Sequence, residues 1–246
     1  MNIAIVGHGK MGKEVEVQAK RRKHTVAFVA NEYDQVAQID DSMVDCAIEF
    51  TEPGEAVRNI TLLAENGVSI VVGTTGWYEH LPQIESIVQK TGIGLLYSPN
   101  LSIGVNLFWK IVAQAADLMS PFETYDVFGH EYHHAQKADA PSGTALKTAE
   151  VILKNFPRKT SLAKEPLIGK PKLEELQFTA TRGGSVPGTH SVFFDSDADT
   201  IEITHTARNR SGFALGAVIA AEWLQGKTGL FTMENVLADL LKKRTS

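Results

Sequence analysis

The sequence contains a single cysteine, Cys46, among its 246 residues. An intrachain disulfide is therefore impossible, and a cysteine-rich zinc site is excluded. Positive charge is also in short supply, because 24 Lys and Arg residues stand against 29 Asp and Glu residues, for a formal net charge of −5. Nucleic-acid binding needs a basic patch or stripe to neutralise phosphates. A polynucleotide partner is therefore not expected.

Long apolar runs are missing as well. The longest candidate, residues 101–119, is interrupted by Lys110 and Asp117, so we expect no transmembrane segment and no membrane partner. The apolar run at the start of the chain stops after a few residues and has no basic region before it, unlike a signal peptide. We therefore expect a cytoplasmic protein. The remaining composition, 43% hydrophobic and 22% charged, is that of a packed globular chain long enough for two modest domains.

The first hundred residues alternate between short apolar, β-branched runs and segments of helical periodicity. This is the pattern of βαβ units around a parallel sheet. Strands are predicted at residues 2–6, 24–29, 45–50, 69–73 and 94–97, and helices at residues 10–21, 55–66 and 79–90. A long helix at residues 104–119 leads out of this half. The fold class we expect is α/β, with a Rossmann-like parallel sheet in the N-terminal half.

From residue 125 onward, apolar and polar residues alternate with the period of strands that bury one face. Strands are predicted at residues 125–128, 176–181, 189–194 and 200–206, a helix at 142–155 and a loop at 156–172. This pattern predicts a smaller α+β domain with a mixed, largely antiparallel sheet that is open on one side. Two final helices, at residues 211–224 and 234–242, are expected to return to the N-terminal half. The expected domains are residues 1–103 with 211–246, and residues 104–210.

A glycine-rich turn, Gly7-His8-Gly9-Lys10-Met11-Gly12, lies between the first predicted strand and the first predicted helix. In a G-x-G-x-x-G turn the first glycine makes the tight turn, the second lets the backbone approach a pyrophosphate, and the third lets helix and strand pack closely. The helix N-terminus then holds the anion. Such turns also occur in plain loops, but this position directly after the first strand predicts a dinucleotide site for NADH or NADPH.

In such a site, an acidic residue about twenty residues further on binds the adenosine ribose. The candidates are Glu32 and Asp34, and no Lys or Arg directly after the second strand is an obvious ligand for a 2′-phosphate, so the choice of cofactor stays open. Two further turns, Gly73-Thr74-Thr75-Gly76 and Ser98-Pro99-Asn100-Leu101, follow the fourth and fifth strands. Ligands bind at these strand ends in open α/β sheets. Both turns could face the nicotinamide, although their residues are also ordinary turn formers.

The segment from residue 131 to residue 145 is the richest in reactive side chains. His133 and His134 are candidate acid/base groups because imidazole titrates near neutral pH. Lys137 can donate a proton or hold a carboxylate. The run Pro141-Ser142-Gly143-Thr144-Ala145 has the composition of a helix start, whose free N–H groups bind anions. The segment predicts an anionic substrate, while a surface histidine pair and a plain helix cap remain the alternatives.

A metal site is a further alternative for this segment. Alternation along a strand puts two histidines on one face, and Glu131 with His133 on the other. A catalytic zinc normally has three protein ligands, and neither face offers three. A third ligand would have to come from a distant strand, from His190 or His205. We therefore expect no metal.

At this point a resemblance to a known family can be stated. The chain resembles the 4-hydroxy-tetrahydrodipicolinate reductases, also called dihydrodipicolinate reductases, over nearly its whole length and in order. The resemblance depends on the motifs G-H-G-K-M-G, G-T-T-G-W, S-P-N-L-S-I-G-V-N, E-Y-H-H-A-Q-K-A-D-A-P-S-G-T-A, R-G-G-S-V-P-G-T-H and T-H-T-A-R-N-R-S-G-F-A-L-G-A. The segment H-H-x-x-K-x-D-A-P-S-G-T is highly specific, whereas G-x-G-x-x-G is not.

The resemblance implies an activity and roles for matching residues. It implies NAD(P)H-dependent reduction of a cyclic 4-hydroxy dicarboxylate with loss of water, in lysine and diaminopimelate biosynthesis, by a homotetramer joined through the sheets of its smaller domains. His133 would be a proton donor and acceptor and Lys137 a proton donor. The residues implied to bind the substrate are His134, Gly143 and Thr144, with Ser142 at the same helix start. The residues implied to bind the cofactor are Gly7, His8, Gly9, Lys10, Met11, Gly12, Gly73, Thr74, Thr75, Ser98, Pro99, Asn100 and Leu101.

The chain also departs from the family pattern. The family's acidic residue after the second strand falls at Ala30, with Glu32 two residues later, so the ribose contact is not assigned by the resemblance. Three rival functions stay open from the residues alone. They are another amino-acid dehydrogenase with a Rossmann half, a nucleotide-sensing protein without turnover, and a metal hydrolase.

Overall fold

The structure is a computed structural model that describes residues 1–163 and 169–242. The chain divides into two compact units. Unit 1 comprises Met1–Ile103 and Arg210–Ser246, and unit 2 comprises Gly104–Asn209.

The described residues form strands and helices throughout both units. In chain order the strands are β1 (Asn2–Val6), β2 (Thr25–Ala30), β3 (Cys46–Glu49), β4 (Ile70–Val72), β5 (Gly94–Tyr97), β6 (Asp126–His133), β7 (Ser161–Leu162), β8 (Glu175–Leu176), β9 (Phe178–Arg182), β10 (Thr189–Asp195), β11 (Thr200–Thr206) and β12 (Gly229–Phe231). The helices are α1 (Lys10–Arg21), α2 (Tyr33–Val36), α3 (Pro53–Glu65), α4 (Leu81–Thr91), α5 (Ile103–Met119), α6 (Gly143–Asn155), α7 (Ser211–Leu224) and α8 (Met233–Lys242). A single 3₁₀ turn at Tyr78–His80 precedes α4.

Unit 1 is built on a parallel sheet with the strand order β12-β5-β4-β3-β1-β2. Every pair of neighbouring strands in it is parallel. Its four central strands, β1, β3, β4 and β5, are short, apolar and almost fully buried, as the interior of a parallel sheet requires. One face packs against α3 and α4, and the other against α1 and α7. The predicted Rossmann-like fold class is therefore confirmed.

The order of the strands determines where this sheet binds a ligand. From β1 the chain moves outward to β2 and then returns to β3 on the opposite side of β1. Ligands of open α/β sheets bind at such a switch point, beside the carboxyl ends of the strands. The turns that follow β1 and β3 therefore mark the candidate cofactor site.

Unit 2 contains a four-stranded sheet with the order β11-β10-β6-β9. The pairs β10–β11 and β10–β6 are antiparallel, and β6–β9 is parallel. Apolar side chains of α5 and α6 cover one face, where Trp109 also donates a hydrogen bond of 3.0 Å to Thr148. The other face carries exposed side chains, including Phe128 and Tyr132. The predicted mixed, largely antiparallel sheet with one open face is confirmed.

Most predicted elements agree with the structure to within a few residues; three predicted elements differ, and two observed elements were not predicted. The predicted strand at 176–181 is two strands, because the chain leaves the small β7–β8 pair at residue 176 and joins β6 at residue 178. The first predicted strand of unit 2 continues to His133 as β6. The predicted loop at 156–172 contains β7, and its residues 164–168 lie outside the described residues. Helix α2 and strand β12 were not predicted, because each is only three or four residues long.

Among the described residues, no helix combines the length and the apolar character needed to cross a membrane.

Candidate active site

The glycine-rich turn follows β1 and opens α1, and its glycines are required for different reasons. Gly7 has a φ of +87°, and a Cβ there would lie 2.2 Å from the carbonyl oxygen of Phe50. A Cβ on Gly12 would lie 2.1 Å from the carbonyl oxygen of Gly7, so the third glycine allows helix and strand to pack. A Cβ on Gly9 would meet no heavy atom within 4 Å. The second glycine therefore leaves open space above the turn.

That open space lies over the N-terminus of α1. Gly9 is the N-cap residue, and it makes no side-chain cap hydrogen bond. The first N–H groups of a helix have no intrahelical acceptor and carry the positive end of the helix dipole. Lys10 and Met11 begin the helix at this point. The turn thus has the room and the donors that a pyrophosphate needs.

The residues after β2 are organised by the short helix α2. Glu32 caps α2 in a capping box with Gln35, whose Oε1 accepts hydrogen bonds of 2.7 Å from the Asn31 N–H and 3.1 Å from the Glu32 N–H. The Asn31 Oδ1 in turn accepts a 2.8 Å hydrogen bond from the His8 N–H. Asn31 therefore links the end of β2 to the glycine turn. Its position directly after β2 was the signal that could have identified it in the sequence.

A cation also lies beside this region. The guanidinium of Arg58, on α3, lies 4.2 Å from the centre of the Tyr33 ring. Tyr33 directly follows Glu32 in the sequence. Arg58 also pairs with Glu55. The sequence search considered only residues directly after β2 and so missed this arginine, which the fold brings in from a later helix.

The two other predicted turns lie at the carboxyl ends of β4 and β5. At the first, a Cβ on Gly73 would lie 2.1 Å from the Phe50 ring, and the Thr74 carbonyl accepts a 2.8 Å hydrogen bond from Trp77. Thr75 follows it in an exposed position. The second turn, Ser98-Pro99-Asn100-Leu101, is closed by a 2.8 Å hydrogen bond from the Ser98 hydroxyl to the Asn100 carbonyl. Both turns are held by internal hydrogen bonds.

One buried carboxyl, that of Glu49, lies beneath these turns. It ends β3 and is fully buried. Its Oε1 accepts hydrogen bonds from the N–H and hydroxyl of Thr51, while Oε2 has no hydrogen-bond partner among the described residues. Burial raises the pKa of this carboxyl, and the hydrogen bonds from Thr51 and Thr74 only partly offset the effect. Burial of Glu49 therefore disfavours its charged form.

In unit 2 the candidate catalytic residues lie along β6. Side chains alternate in burial along this strand, so Glu131 and His133 face the interior while His130 and Tyr132 face outward. Strand β10 pairs with β6 and brings His190 beside Glu131. The two imidazole rings of His133 and His190 are in edge contact, with centroids 5.2 Å apart.

Glu131 is the centre of this cluster and is fully buried. Its Oε2 lies 3.1 Å from Nε2 of His190 and 3.3 Å from Nε2 of His133. Its Oε1 accepts hydrogen bonds of 2.8 Å from the Ser142 N–H and 2.8 Å from the Arg182 guanidinium. Burial raises the pKa of Glu131, but hydrogen bonds from His190, Ser142 and Arg182 outweigh burial and hold the pKa well below its usual range. Glu131 is therefore an ionised carboxylate.

His133 is enclosed on several sides. Its Nδ1 lies 3.1 Å from the carbonyl oxygen of Pro187. A Cβ on Gly188 would lie 2.5 Å from its Cε1, so only glycine fits beside the ring. Burial lowers the pKa of the His133 imidazole, Glu131 raises it, and His190, Lys137 and Arg182 lower it further. The charge of Lys137 therefore acts on His133 through space.

Lys137 and His134 lie in the loop after β6. The Lys137 ammonium donates a 2.7 Å hydrogen bond to Asp139, and its side chain is about three-quarters buried at 25% exposure. The His134 N–H donates to the Val186 carbonyl at 2.8 Å, and the Lys137 N–H donates to the His134 carbonyl at 3.1 Å. The backbone of both residues is thus held close to the end of β6, and the Lys137 side chain is held by Asp139.

The predicted helix start is confirmed as the N-terminus of α6. Ser142 is its N-cap, and its hydroxyl accepts a 3.1 Å hydrogen bond from the Ala145 N–H while donating to Glu131. A Cβ on Gly143 would meet no heavy atom within 4 Å, which leaves open space at the first turn, beside Thr144. The segment has the geometry expected of an anion site.

The sequence left open a third metal ligand from a distant strand, His190 or His205, and the structure brings His190 to this position. Ligand atoms of Glu131, His133 and His190 all lie within 4.8 Å of one another, because β10 supplies the third. The carboxylate already accepts hydrogen bonds from Ser142 and Arg182. The arginine charge beside it opposes a second cation. These contacts favour a hydrogen-bonded cluster over a metal centre.

Several residues of this cluster received no role in the predicted reaction from the sequence, although Glu131 and His190 were weighed as metal ligands. They are Glu131, Arg182, Pro187, Gly188 and His190. Four of them lie in the motif R-G-G-S-V-P-G-T-H, which was singled out only as part of the resemblance. Its concentration of Gly, Pro and His in an otherwise alternating strand pattern was the available signal.

A Rossmann-like unit with this glycine turn defines the class of the protein as dinucleotide-binding. Comparison with known families is more specific. Residues 1–101 match the family described as "Dihydrodipicolinate reductase, N-terminus", and residues 104–237 match "Dihydrodipicolinate reductase, C-terminus". The chain belongs to the dihydrodipicolinate reductase family.

Individual relatives agree with this assignment. A 4-hydroxy-tetrahydrodipicolinate reductase of Christiangramia forsetii is 41% identical over 242 residues, which is 98% of this chain and all of that protein. The enzyme of the same name from Methanococcoides burtonii is 38% identical over 92% of this chain and 85% of its own length. The solved structure "Dipicolinate bound Dihydrodipicolinate reductase from Paenisporosarcina sp. TG-14" shares the fold, with a TM-score of 0.75, 24% identity and coverage of 96% of this chain and 98% of that one.

Proposed function

We propose that this enzyme reduces (2S,4S)-4-hydroxy-2,3,4,5-tetrahydrodipicolinate with NADH or NADPH to (S)-2,3,4,5-tetrahydrodipicolinate, in lysine and diaminopimelate biosynthesis. One hydride and one proton are consumed, and one water leaves with the 4-hydroxyl group. The observation that carries the proposal is a grouping within unit 2: His133 and the N-terminus of α6 both contact Glu131, and Lys137 lies in the loop between them. Such a grouping suits a small dianion that gains a proton. Family membership supports the same reaction.

The dinucleotide fits unit 1 on structural grounds. The open space above Gly9 and the uncapped first turn of α1 would receive the pyrophosphate. Gly73, Thr74 and Thr75, with Ser98 to Leu101, would line the nicotinamide end. When bound, the cofactor supplies the hydride, and the protein binds, orients and manages protons.

The choice between the two cofactors depends on the end of β2. The Glu32 carboxylate suits the two ribose hydroxyls of NADH and repels a 2′-phosphate, while Arg58 beside Tyr33 offers a cation to that phosphate. We propose that the two opposing charges allow both cofactors to bind. Replacing Arg58 with Ala should lower kcat/KM for NADPH more than for NADH.

In unit 2, the chain's own residues would bind the substrate and supply a proton. The N–H groups at the start of α6, with Thr144 and His134, would hold one or both carboxylates. Lys137 would donate the proton, as the ammonium closest in sequence to this site, and His133 would exchange protons with it. Dipicolinate, which the related solved enzyme binds, should bind here as a substrate analogue. Isothermal calorimetry would measure this binding, with Gly143→Val as the variant expected to abolish it.

The test of the reaction is a coupled assay. Pyruvate, aspartate semialdehyde and the upstream synthase generate the unstable substrate, and oxidation of NADH and NADPH is followed by absorbance. Oxidation that requires this enzyme supports the proposal, and the ratio of the two rates gives the cofactor preference. A folded protein that binds NADH but oxidises neither cofactor would contradict it. Another amino-acid dehydrogenase activity would then be sought by substrate profiling.

The oligomeric state is also a proposal. The outward face of the unit 2 sheet carries Phe128 stacked on Phe193 at a centroid distance of 5.0 Å, next to the exposed Tyr132. Exposed aromatic clusters of this kind mark protein interfaces. We propose a homotetramer joined through this face, as the family resemblance implies. Light scattering should give the mass of four chains, and Phe128→Glu should reduce it. The expected cytoplasmic location stays a prediction that cell fractionation would test.

A further inference from the structure

We propose that Glu131 is a positioning residue that fixes two parts of the site together, the ring of His133 and the N-terminus of α6. The proposal depends on the function proposed above only for the chemical role of His133 and of the helix start. It concerns a carboxylate that is fully buried and that acts through the groups it holds. His190 serves it as a second imidazole partner.

The two oxygens of Glu131 divide their contacts between these two parts. Oε2 faces both imidazoles, at 3.3 Å from His133 Nε2 and 3.1 Å from His190 Nε2, and it also accepts from the Ser142 hydroxyl. Oε1 accepts from the Ser142 N–H and from Arg182. A side chain that receives this many donors has its position fixed by all of them. Moving the carboxylate would therefore disturb both the ring and the helix cap.

The ring of His133 lies between two acceptors. A backbone carbonyl can only accept, so the Nδ1 of His133 must donate its proton to Pro187 O, at 3.1 Å. The ionised carboxylate of Glu131 also only accepts, and it faces Nε2. The neutral ring, with its proton on Nδ1, turns a lone pair toward this negative charge, whereas the doubly protonated ring satisfies both acceptors. The negative charge of Glu131 therefore favours the form of His133 that can give up a proton.

The same carboxylate fixes the substrate side through the helix cap. The Ser142 hydroxyl oxygen accepts a hydrogen bond from the Ala145 N–H, and the hydroxyl donates a hydrogen bond to Glu131. Arg182 extends the network, because its guanidinium also donates a 2.5 Å hydrogen bond to the Asp139 carbonyl, in the loop that carries Lys137. One buried charge thus connects strand β6, the start of α6 and the loop between them.

The charged groups around His133 act in opposite directions. Glu131, on the same strand, raises the pKa of the imidazole, while His190 on β10, Arg182 on β9 and Lys137 in the following loop lower it. Burial acts in the same direction as the three positive or titratable groups. Glu131 is the only one of the four that favours the imidazolium. Its removal should therefore move the titration of His133 to lower pH, and removal of His190 should move it to higher pH.

Nuclear magnetic resonance of the ligand-free protein tests this directly. The ring Cε1–H signal of His133, assigned with His133→Gln, is titrated in the wild type and in two variants. In Glu131→Gln its midpoint should fall by about one pH unit or more, as expected for loss of an opposite charge within about 4–6 Å. In His190→Gln it should rise. Glu150→Gln removes an exposed carboxylate of α6, paired with Lys147, and serves as the control with no change.

Opposite shifts in the two variants support the proposal, and an unchanged midpoint in a folded Glu131→Gln protein would overturn it. If Glu131→Gln does not fold, His190→Gln still decides, because a midpoint that stays at the wild-type value is then the contradicting result. No substrate is used, so failure of the coupled assay would leave this test intact. When turnover is measured, Glu131→Gln should lower kcat and raise KM for the dicarboxylate together, with the KM for NADH unchanged. If Glu131 only stabilised the fold, its loss would change the KM for NADH along with kcat and the KM for the dicarboxylate.

Discussion

The two units of the molecule form their candidate sites from different parts of the chain. In unit 1 the site is mostly backbone, because the glycine turn at Gly7, Gly9 and Gly12 leaves room and exposes N–H groups. In unit 2 it is mostly side chains, which strands β6, β9 and β10 and helix α6 bring together around Glu131. A site formed by backbone atoms can be predicted from a short local motif. A side-chain cluster depends on which strands become neighbours.

The two fully buried carboxylates show the same contrast. Glu49 in unit 1 receives hydrogen bonds from Thr51 on one oxygen, and burial raises its pKa. Glu131 in unit 2 receives hydrogen bonds from an arginine, an imidazole and a serine, which hold its pKa well below the usual range. Both carboxylates are equally inaccessible to solvent. The neighbours, and not burial alone, decide whether a buried carboxyl carries a charge.

The largest effect that would test this contrast is expected from Lys137→Ala. If side chains carry the chemistry of unit 2, loss of this proton donor should lower kcat by about 10²- to 10⁴-fold, the usual contribution of a general acid. NADH affinity, measured by fluorescence titration, should stay within about twofold, because the proposed cofactor site is formed by the backbone of unit 1. The matched control is Lys147→Ala on α6, which removes a half-buried lysine paired with the exposed Glu150. Unchanged turnover in Lys137→Ala would remove this residue from the mechanism.

The second prediction concerns the stability of the two buried carboxylates as a function of pH. The folded-state pKa of Glu131 lies below its unfolded value, so its contribution is present above about pH 4.3 and is lost as the pH falls. Glu131→Gln breaks a buried pair and should lower the free energy of unfolding at neutral pH by about 3–5 kcal/mol. Denaturant unfolding should show this loss shrinking in acid.

Glu49→Gln should have the opposite dependence. The folded-state pKa of Glu49 is raised, so its contribution is present at low pH and is lost as the pH rises through the folded-state pKa. The uncharged amide removes this loss, so the variant should gain stability relative to wild type as the pH rises. A variant that instead loses stability toward neutral pH would show that Glu49 is ionised and usefully paired.

The third prediction separates packing from binding within the glycine turn. Gly12→Ala forces a Cβ against the Gly7 carbonyl and should lower the free energy of unfolding by about 1–3 kcal/mol. Gly9→Ala meets no protein atom, so stability should hold while NADH affinity falls, because the new methyl group occupies the open space above the turn. Thermal unfolding and fluorescence titration of both variants measure the two effects. Equal affinity of Gly9→Ala and wild type for NADH would place the pyrophosphate elsewhere.

The sequence predicted most of the elements of unit 1 because their signals are local. Short apolar runs alternating with helical segments predicted β1 to β5 and the first helices to within a few residues. Helix α2 and strand β12 escaped detection because three or four residues show no periodicity. Arg58 escaped because it reaches the end of β2 from another helix.

In unit 2 the sequence predicted the strands and the helix start but not their arrangement. The pairing of β6 with β10 brings His190 to Glu131 across 59 positions of the chain, and no periodicity encodes that neighbour. Arg182 likewise comes from β9, which pairs with β6 in parallel. His133 and Lys137 stood out by residue type, whereas the carboxylate that orients His133 did not, because a single acid in a strand looks like an exposed one.

The smallest effect is expected at Cys46. Its reaction with a thiol reagent measures how often the parallel sheet of unit 1 opens. This thiol lies in β3 against Ile3 and is buried to 1% exposure, and burial raises its pKa to about 12. Because thiolates react and thiols do not, a thiol reagent at neutral pH should leave the folded protein almost unlabelled. Labelling then requires opening of the sheet. Gly12→Ala should label faster than wild type because it weakens the packing of α1 on this sheet, and Gly9→Ala should label at the wild-type rate. Fast labelling of wild type would mean that the parallel sheet opens locally without loss of the fold.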